Sequence, residues 1–86
     1  MSEQKKIQVK VAFPAWAETE SSWKLLTKRN KDKHGFSEAD WFPKSQCKLT
    51  KSETENFVGI LEIPSWLFDK KSSSGIRFTD LQDNII

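Results

Sequence analysis

The sequence has few of the residues that most often carry enzymatic chemistry. It contains one cysteine, one histidine and three glycines among 86 residues. One cysteine excludes an intramolecular disulfide, and one Cys with one His cannot build a metal site from clusters of these residues. The glycines, Gly35, Gly59 and Gly75, lie too far apart to form a phosphate-binding loop. The sequence therefore predicts no catalytic residue, no metal site and no cofactor.

A Cys-His pair of nucleophile and base, Cys47 with His34, is formally possible. Cys47 lies in a predicted strand with nothing nearby that marks a reactive thiol, and His34 lies in a charged loop that would not hold a base in place. Acidic pairs such as Glu18 with Glu20 fall in polar turns, where they act as solubilising groups. We therefore expect a structural cysteine, a solvated histidine and a protein that is not an enzyme.

Long hydrophobic runs are also missing. No segment has the length needed to span a bilayer, and the charged residues 1–6 are not followed by an apolar stretch of signal-peptide length. Together with the single cysteine, these features predict a cytoplasmic protein without a membrane partner. The formal net charge of +2, from 14 Lys and Arg against 12 Asp and Glu, is too balanced for a polybasic protein.

Aromatic residues are what the sequence has in quantity, with four Trp and six Phe. A domain of this size buries only about two-thirds of the surface that its unfolded chain exposes. Large rings are therefore an economical way to build its core, because burying one contributes about 2 to 3 kcal/mol. We predict one domain over residues 1–71, then a flexible linker at 72–75 and a C-terminal tail to residue 86 that either docks or stays loose.

The apolar pattern predicts a mainly β fold. Residues 7–13 alternate with a period of two, and residues 23–27 resume after a polar turn, so we expect these strands to form a hairpin. Residues 40–49 are predicted as a strand bent at Pro43. Residues 57–63 are apolar on both faces, which is typical of a central strand. Pro64 suits the first turn of a short helix that ends near Lys70 and Lys71.

These elements predict a small antiparallel barrel or curled sheet of the SH3 or OB type. It would have four to five strands and be closed by the short C-terminal helix. The alternative is an α+β arrangement in which residues 37–41 or the tail form a second helix.

Positive charge is concentrated in the middle of the chain, where residues 24–51 include eight basic and three acidic residues. The loop predicted over 28–35 has no apolar residue to bury. Three interpretations stay open: solubilising lysines, a basic and aromatic groove for single-stranded nucleic acid, or a surface steered towards an acidic protein. The residues predicted to bind a partner are Lys28, Arg29, Lys31, Lys33, His34, Lys44 and Lys48.

Two short motifs stand out, Trp41-Phe42-Pro43-Lys44-Ser45-Gln46 and Ile63-Pro64-Ser65-Trp66-Leu67. They resemble the paired signatures of a family of small phage and prophage proteins, most of them without a known function. The resemblance covers about residues 7–71 and implies a phage setting more than an activity. The signature residues are Trp41, Pro43, Ser45, Gln46, Pro64, Trp66 and Leu67.

The motifs also make sense as architecture. We expect Trp41 and Trp66 to seal the two open ends of the core and Pro43 to protect an exposed edge. Ser45 or Gln46 would then satisfy the backbone groups that the break frees. The resemblance to phage proteins and the lack of catalytic residues together predict a binding function. We expect the protein to bind a host macromolecule stoichiometrically, as an inhibitor of a defence nuclease. Single-stranded nucleic-acid binding is the alternative.

Overall fold

The computed structural model describes residues 5–32 and 35–86. Their elements are β1 (Lys6–Ala12), β2 (Ala17–Glu18), β3 (Ser22–Arg29), β4 (Phe36–Pro43), β5 (Lys48–Lys51), β6 (Val58–Pro64) and the helix α1 (Ser65–Ser73). The strands form two antiparallel three-stranded sheets, β1-β6-β5 and β2-β3-β4. The mainly β prediction is confirmed, with six strands in place of four to five. Within the described residues no strand of one sheet pairs with a strand of the other, so strand pairing does not close a barrel.

The predicted hairpin between the first two long strands is wrong. β1 pairs with β6 instead, from Lys6 opposite Pro64 to Ala12 opposite Val58. The chain then bends and adds β2 to the edge of β3, with the Trp16 amide donating to the Lys24 carbonyl at 2.9 Å. β1 therefore belongs to one sheet, and β2, the short strand that follows it, belongs to the other.

The strand predicted over residues 40–49 is divided by a turn. β4 ends at Pro43, residues 44–46 turn, and β5 begins in the other sheet. The amides of Gln46 and Cys47 both donate to the Pro43 carbonyl at 3.1 Å. Backbone groups therefore close this turn, whereas the side chains of Ser45 and Gln46 are exposed. Residues 37–41 lie within β4, so the alternative of a helix there is wrong.

One core gathers residues from both sheets, the helix and the C-terminal segment. β6 is the central strand of its sheet, as predicted, and most of its residues are buried. Alternation along β1 directs Val9 and Val11 into the core. The buried core residues are Val9, Val11, Leu25, Phe42, Cys47, Leu61, Ile63, Leu67 and Phe78.

The segment predicted as a linker and tail belongs to this core. Ser72 and Ser73 are still helical, and Gly75 ends the helix with a φ of 97°, which glycine adopts without strain. Phe78 is fully buried, with its ring centre 6.1 Å from that of Phe42 and 4.9 Å from that of Phe68. The C-terminal segment therefore docks.

Candidate binding surface

Two tryptophans and a lysine form an exposed surface on the β2-β3-β4 sheet. Lys24 lies opposite Trp41. Its ammonium group is 4.5 Å from the centre of the Trp16 ring and 5.9 Å from that of the Trp41 ring. Trp16 is 66% exposed and Trp41 is 38% exposed, while the strand neighbours Leu25 and Phe42 are fully buried. We call Trp16, Lys24 and Trp41 the tryptophan face.

The two tryptophan rings of this face are exposed to water and do not pack in the core. An ammonium group over an exposed ring contributes about 0.5 to 1 kcal/mol, so Lys24 helps to hold the two rings in place. Exposed aromatic surface of this kind is typical of sites that bind another molecule. Sequence reasoning missed Trp16. The available signal was its position between Pro14 and a polar turn, outside any alternating strand.

The expectation that Trp41 and Trp66 seal the core is wrong. Phe42 and Leu67 take the core positions, and each is the residue that follows one of these tryptophans. A shift of one position along a strand moves a side chain to the opposite face. In α1 the buried residue is Leu67, and Trp66 is 46% exposed. Pro64 of the same motif is fully buried.

The residues predicted to bind a partner do not form one described patch. Lys28 lies near the end of β3, whereas Lys44 follows β4 beside the beginning of β3. Lys48 begins β5, in the other sheet. Lys33 and His34 lie outside the described residues.

Arg29 belongs to an ion-pair cluster and not to a solvated loop. Its side chain is 9% exposed, and its guanidinium is 3.0 Å from the Glu55 carboxylate and 3.8 Å from that of Asp83. Lys10 contacts the same two carboxylates at 2.8 and 3.0 Å. The cluster therefore ties β1, β3, the loop before β6 and the C-terminal segment together. Lys31, in contrast, is exposed in the turn after β3.

Hydrogen bonds and burial shift two pKa values in this cluster. A hydrogen bond from Lys10 lowers the pKa of Glu55 below its usual value, desolvation opposes this, and a hydrogen bond from Arg29 lowers it further. Burial alone would lower the pKa of Lys10. Its hydrogen bonds to Glu55 and Asp83 outweigh that effect, so the pKa of Lys10 is raised.

We expect Glu55 to make the free energy of unfolding depend on acidity. Its pKa is lower in the folded than in the unfolded protein, so its stabilisation is present above the unfolded pKa and is lost as pH falls through the folded value. Urea unfolding between about pH 6 and about pH 3 should show a smaller loss of stability in Glu55→Gln than in wild type. Parallel pH profiles would contradict this role.

Cys47 is a buried thiol that lies just before β5. Burial raises its pKa to about 11, although the charge of Lys71 acts in the opposite direction. The thiolate is the nucleophilic form, and a thiol with this pKa is almost entirely protonated at neutral pH. The geometry therefore gives Cys47 a packing role.

The reactivity of Cys47 checks that role. In the folded protein at about pH 8, its alkylation by iodoacetamide should be about 100-fold slower than in urea, because both burial and the raised pKa suppress the thiolate. Mass spectrometry of timed samples measures the two rates. Similar rates in folded and unfolded protein would show that the thiol is accessible.

No group of three or more His, Cys, Asp or Glu side chains in residues 5–32 and 35–86 is placed to hold a metal ion. Over the same residues, no helix combines the length and the apolar character needed to cross a membrane.

Comparisons of the chain with protein-family models, with curated proteins and with solved structures gave no match. The resemblance to small phage and prophage proteins therefore rests on the two motifs and stays a prediction.

Proposed function

We propose that this chain is a non-catalytic binding protein that associates stoichiometrically with a protein partner through the tryptophan face. The observation that carries the proposal is the exposure of two tryptophan rings beside one lysine on a single sheet face. The resemblance of the two motifs to phage proteins makes the proposal more specific. On that basis the protein would act in the host cytoplasm as an inhibitor of a host defence nuclease.

The energetics of protein interfaces support this choice. Tryptophan is enriched among the residues that cost about 2 kcal/mol or more when they are truncated in an interface. Lys24 and Trp41 lie on paired strands, so their positions are set before a partner arrives and less ordering entropy is lost on binding. Lys28 lies on the same face of β3 as Lys24, and the two charges would favour an acidic partner surface.

Single-stranded nucleic-acid binding is the second candidate, and one observation favours it. The rings of Trp16 and Trp41 on either side of an ammonium group resemble the stacking platforms on which such proteins place successive bases. A groove that follows a phosphate backbone needs several cations, whereas the tryptophan face has Lys24, with Lys28 further along the same side of β3. A protein partner therefore explains the face better.

The experiment compares three tagged proteins in a host-cell lysate: wild type, a Trp16→Ala, Trp41→Ala double variant, and Trp66→Ala as the matched control. Wild type and the control should retain the same protein, and the double variant should lose it. The recovered protein is then purified and mixed with wild type, and light scattering should give a fixed stoichiometry. Retention by all three proteins would contradict a role for the tryptophan face.

A titration with labelled oligothymidylate separates the two candidates. For a protein-binding face we expect no binding at physiological salt. Tight binding that is lost in the double variant, and that weakens steeply as salt rises, would favour the nucleic-acid function.

A further inference from the structure

Two grooves flank the ring of Phe57, in the turn before β6. The larger has a volume of about 450 Å³, and its lining includes Phe13, Arg29 and Phe36. The smaller has a volume of about 310 Å³, and its lining includes Phe13 and Lys51. Phe13, Asn56 and Phe57 line both grooves and therefore form the wall that the two grooves share. Each groove is large enough to take one large apolar side chain.

Neither the core nor the backbone explains a phenylalanine at position 57. The side chain is 77% exposed, so it adds little to the core. Its φ is 62°, in the left-handed region that costs a residue other than glycine about 1 to 2 kcal/mol. The Phe57 carbonyl accepts a hydrogen bond from the Phe13 amide at 3.0 Å, which fixes the backbone. An aromatic ring is therefore held in water on a strained but anchored turn, as is typical of functional positions.

The charges around the grooves indicate what would bind there. Among the described residues, the charged side chains that line the two grooves are Arg29 and Lys51, and no carboxylate lines either one. The charge of Arg29 is matched by Glu55 and Asp83. No described carboxylate lies within ion-pair distance of Lys51. The walls are part apolar and part polar, and Lys51 is a cation that no described carboxylate pairs with. Such a lining suits an acidic ligand that also carries apolar groups, and the described part of it has few cations for a phosphate backbone.

We propose that these grooves bind an acidic linear peptide segment of a protein partner. Apolar side chains of the segment would enter the grooves on the two sides of Phe57, and a carboxylate would pair with Lys51. None of the residues named here belongs to the tryptophan face, so the site is a second contact surface and goes beyond the function proposed above.

A selection experiment tests this site. A library of short random peptides is displayed on yeast, and the peptides that bind the wild-type protein are selected. The selected peptides should be enriched both in Asp or Glu and in large apolar residues. A labelled peptide of the selected consensus is then titrated against four proteins, with fluorescence anisotropy as the readout. These are wild type, Phe57→Gly, Lys51→Glu and Trp16→Ala.

Phe57→Gly should weaken peptide binding by about tenfold or more, because it removes the exposed ring from the wall that the two grooves share. Its melting temperature should equal or exceed that of wild type, because glycine adopts a positive φ without strain. Lys51→Glu should also weaken binding, and Trp16→Ala should leave it unchanged. Phe57→Asn, which also tolerates this backbone, serves as the second variant and should behave like Phe57→Gly.

Several outcomes would overturn the inference. These are selection of no peptide, selection of peptides without acidic residues, or equal binding by wild type and both Phe57 variants. If wild type is a dimer and Phe57→Gly dissociates it, the grooves bind a second copy of the chain. If oligothymidylate displaces the peptide, the grooves bind a nucleic acid. Loss of peptide binding in Trp16→Ala alone would move the ligand to the tryptophan face, and the proposed function would then stand without this site.

Discussion

Replacing Phe78 with alanine should destabilise the protein by about 3 to 5 kcal/mol, the usual cost of truncating a fully buried phenylalanine. Phe78 has no exposed surface, and its ring packs against those of Phe42 and Phe68. Domains of this size have a total stability of about 5 to 15 kcal/mol. The variant should therefore lose a large fraction of its stability and unfold at a clearly lower urea concentration than wild type.

Urea unfolding followed by circular dichroism measures this loss, with Trp66→Ala as the control. That substitution removes a larger ring, but one that is 46% exposed, so we expect a loss of only about 1 kcal/mol. A Phe78→Ala protein with the same unfolding midpoint as wild type would mean that the C-terminal segment does not contribute to the core.

Reversing the charge of Arg29 should cost about 3 kcal/mol, the lower end of the range seen when a buried ion pair is broken from one side, because Arg29 is buried while the carboxylates of Glu55 and Asp83 are partly exposed. Arg29→Glu places a third carboxylate beside Glu55 and Asp83 and leaves Lys10 as the one cation of the cluster. The matched control is Lys31→Glu, two residues further along the chain and exposed in the turn. It should change stability by no more than about 0.5 kcal/mol.

Thermal and urea unfolding of both variants provide the measurement. A second substitution tests the cause, because Glu55→Lys in the Arg29→Glu background restores opposite charges and should recover part of the lost stability. Equal, small effects of Arg29→Glu and Lys31→Glu would show that the ion-pair cluster does not support the fold.

The sequence predicts those parts of the fold that depend on neighbouring residues. The alternation along β1, the apolar character of β6 and the start of α1 near Pro64 are local patterns, and each corresponds to an element in the structure. Strand pairing is different, because alternation identifies the buried face of a strand but not its partner. Alternation therefore favours pairing of β1 with the next strand along the chain, whereas β1 pairs with β6, far away in the sequence.

The candidate site was harder to predict, for the same physical reason. Whether a charged or aromatic side chain is buried depends on residues far along the chain. Arg29 lies in a charged stretch whose composition is typical of a solvated loop. Its side chain is nevertheless buried, in ion pairs with Glu55 and Asp83. Trp41 is a residue type that usually lies in a core. In this strand its neighbour Phe42 is the buried residue, so Trp41 lies on the outer face.

The pairing of β1 with β6 also has a consequence for the order in which the chain folds. The register pair of these strands that is closest in sequence joins Ala12 to Val58, so a long loop must close before any contact of this ladder forms. Loop closure costs entropy, and sheets with such distant partners fold more slowly than hairpins. β3 and β4 pair through a short connection and need no such closure. We therefore expect Trp41 to come beside Lys24 early in folding, and the grooves around Phe57, which require β1, to form late.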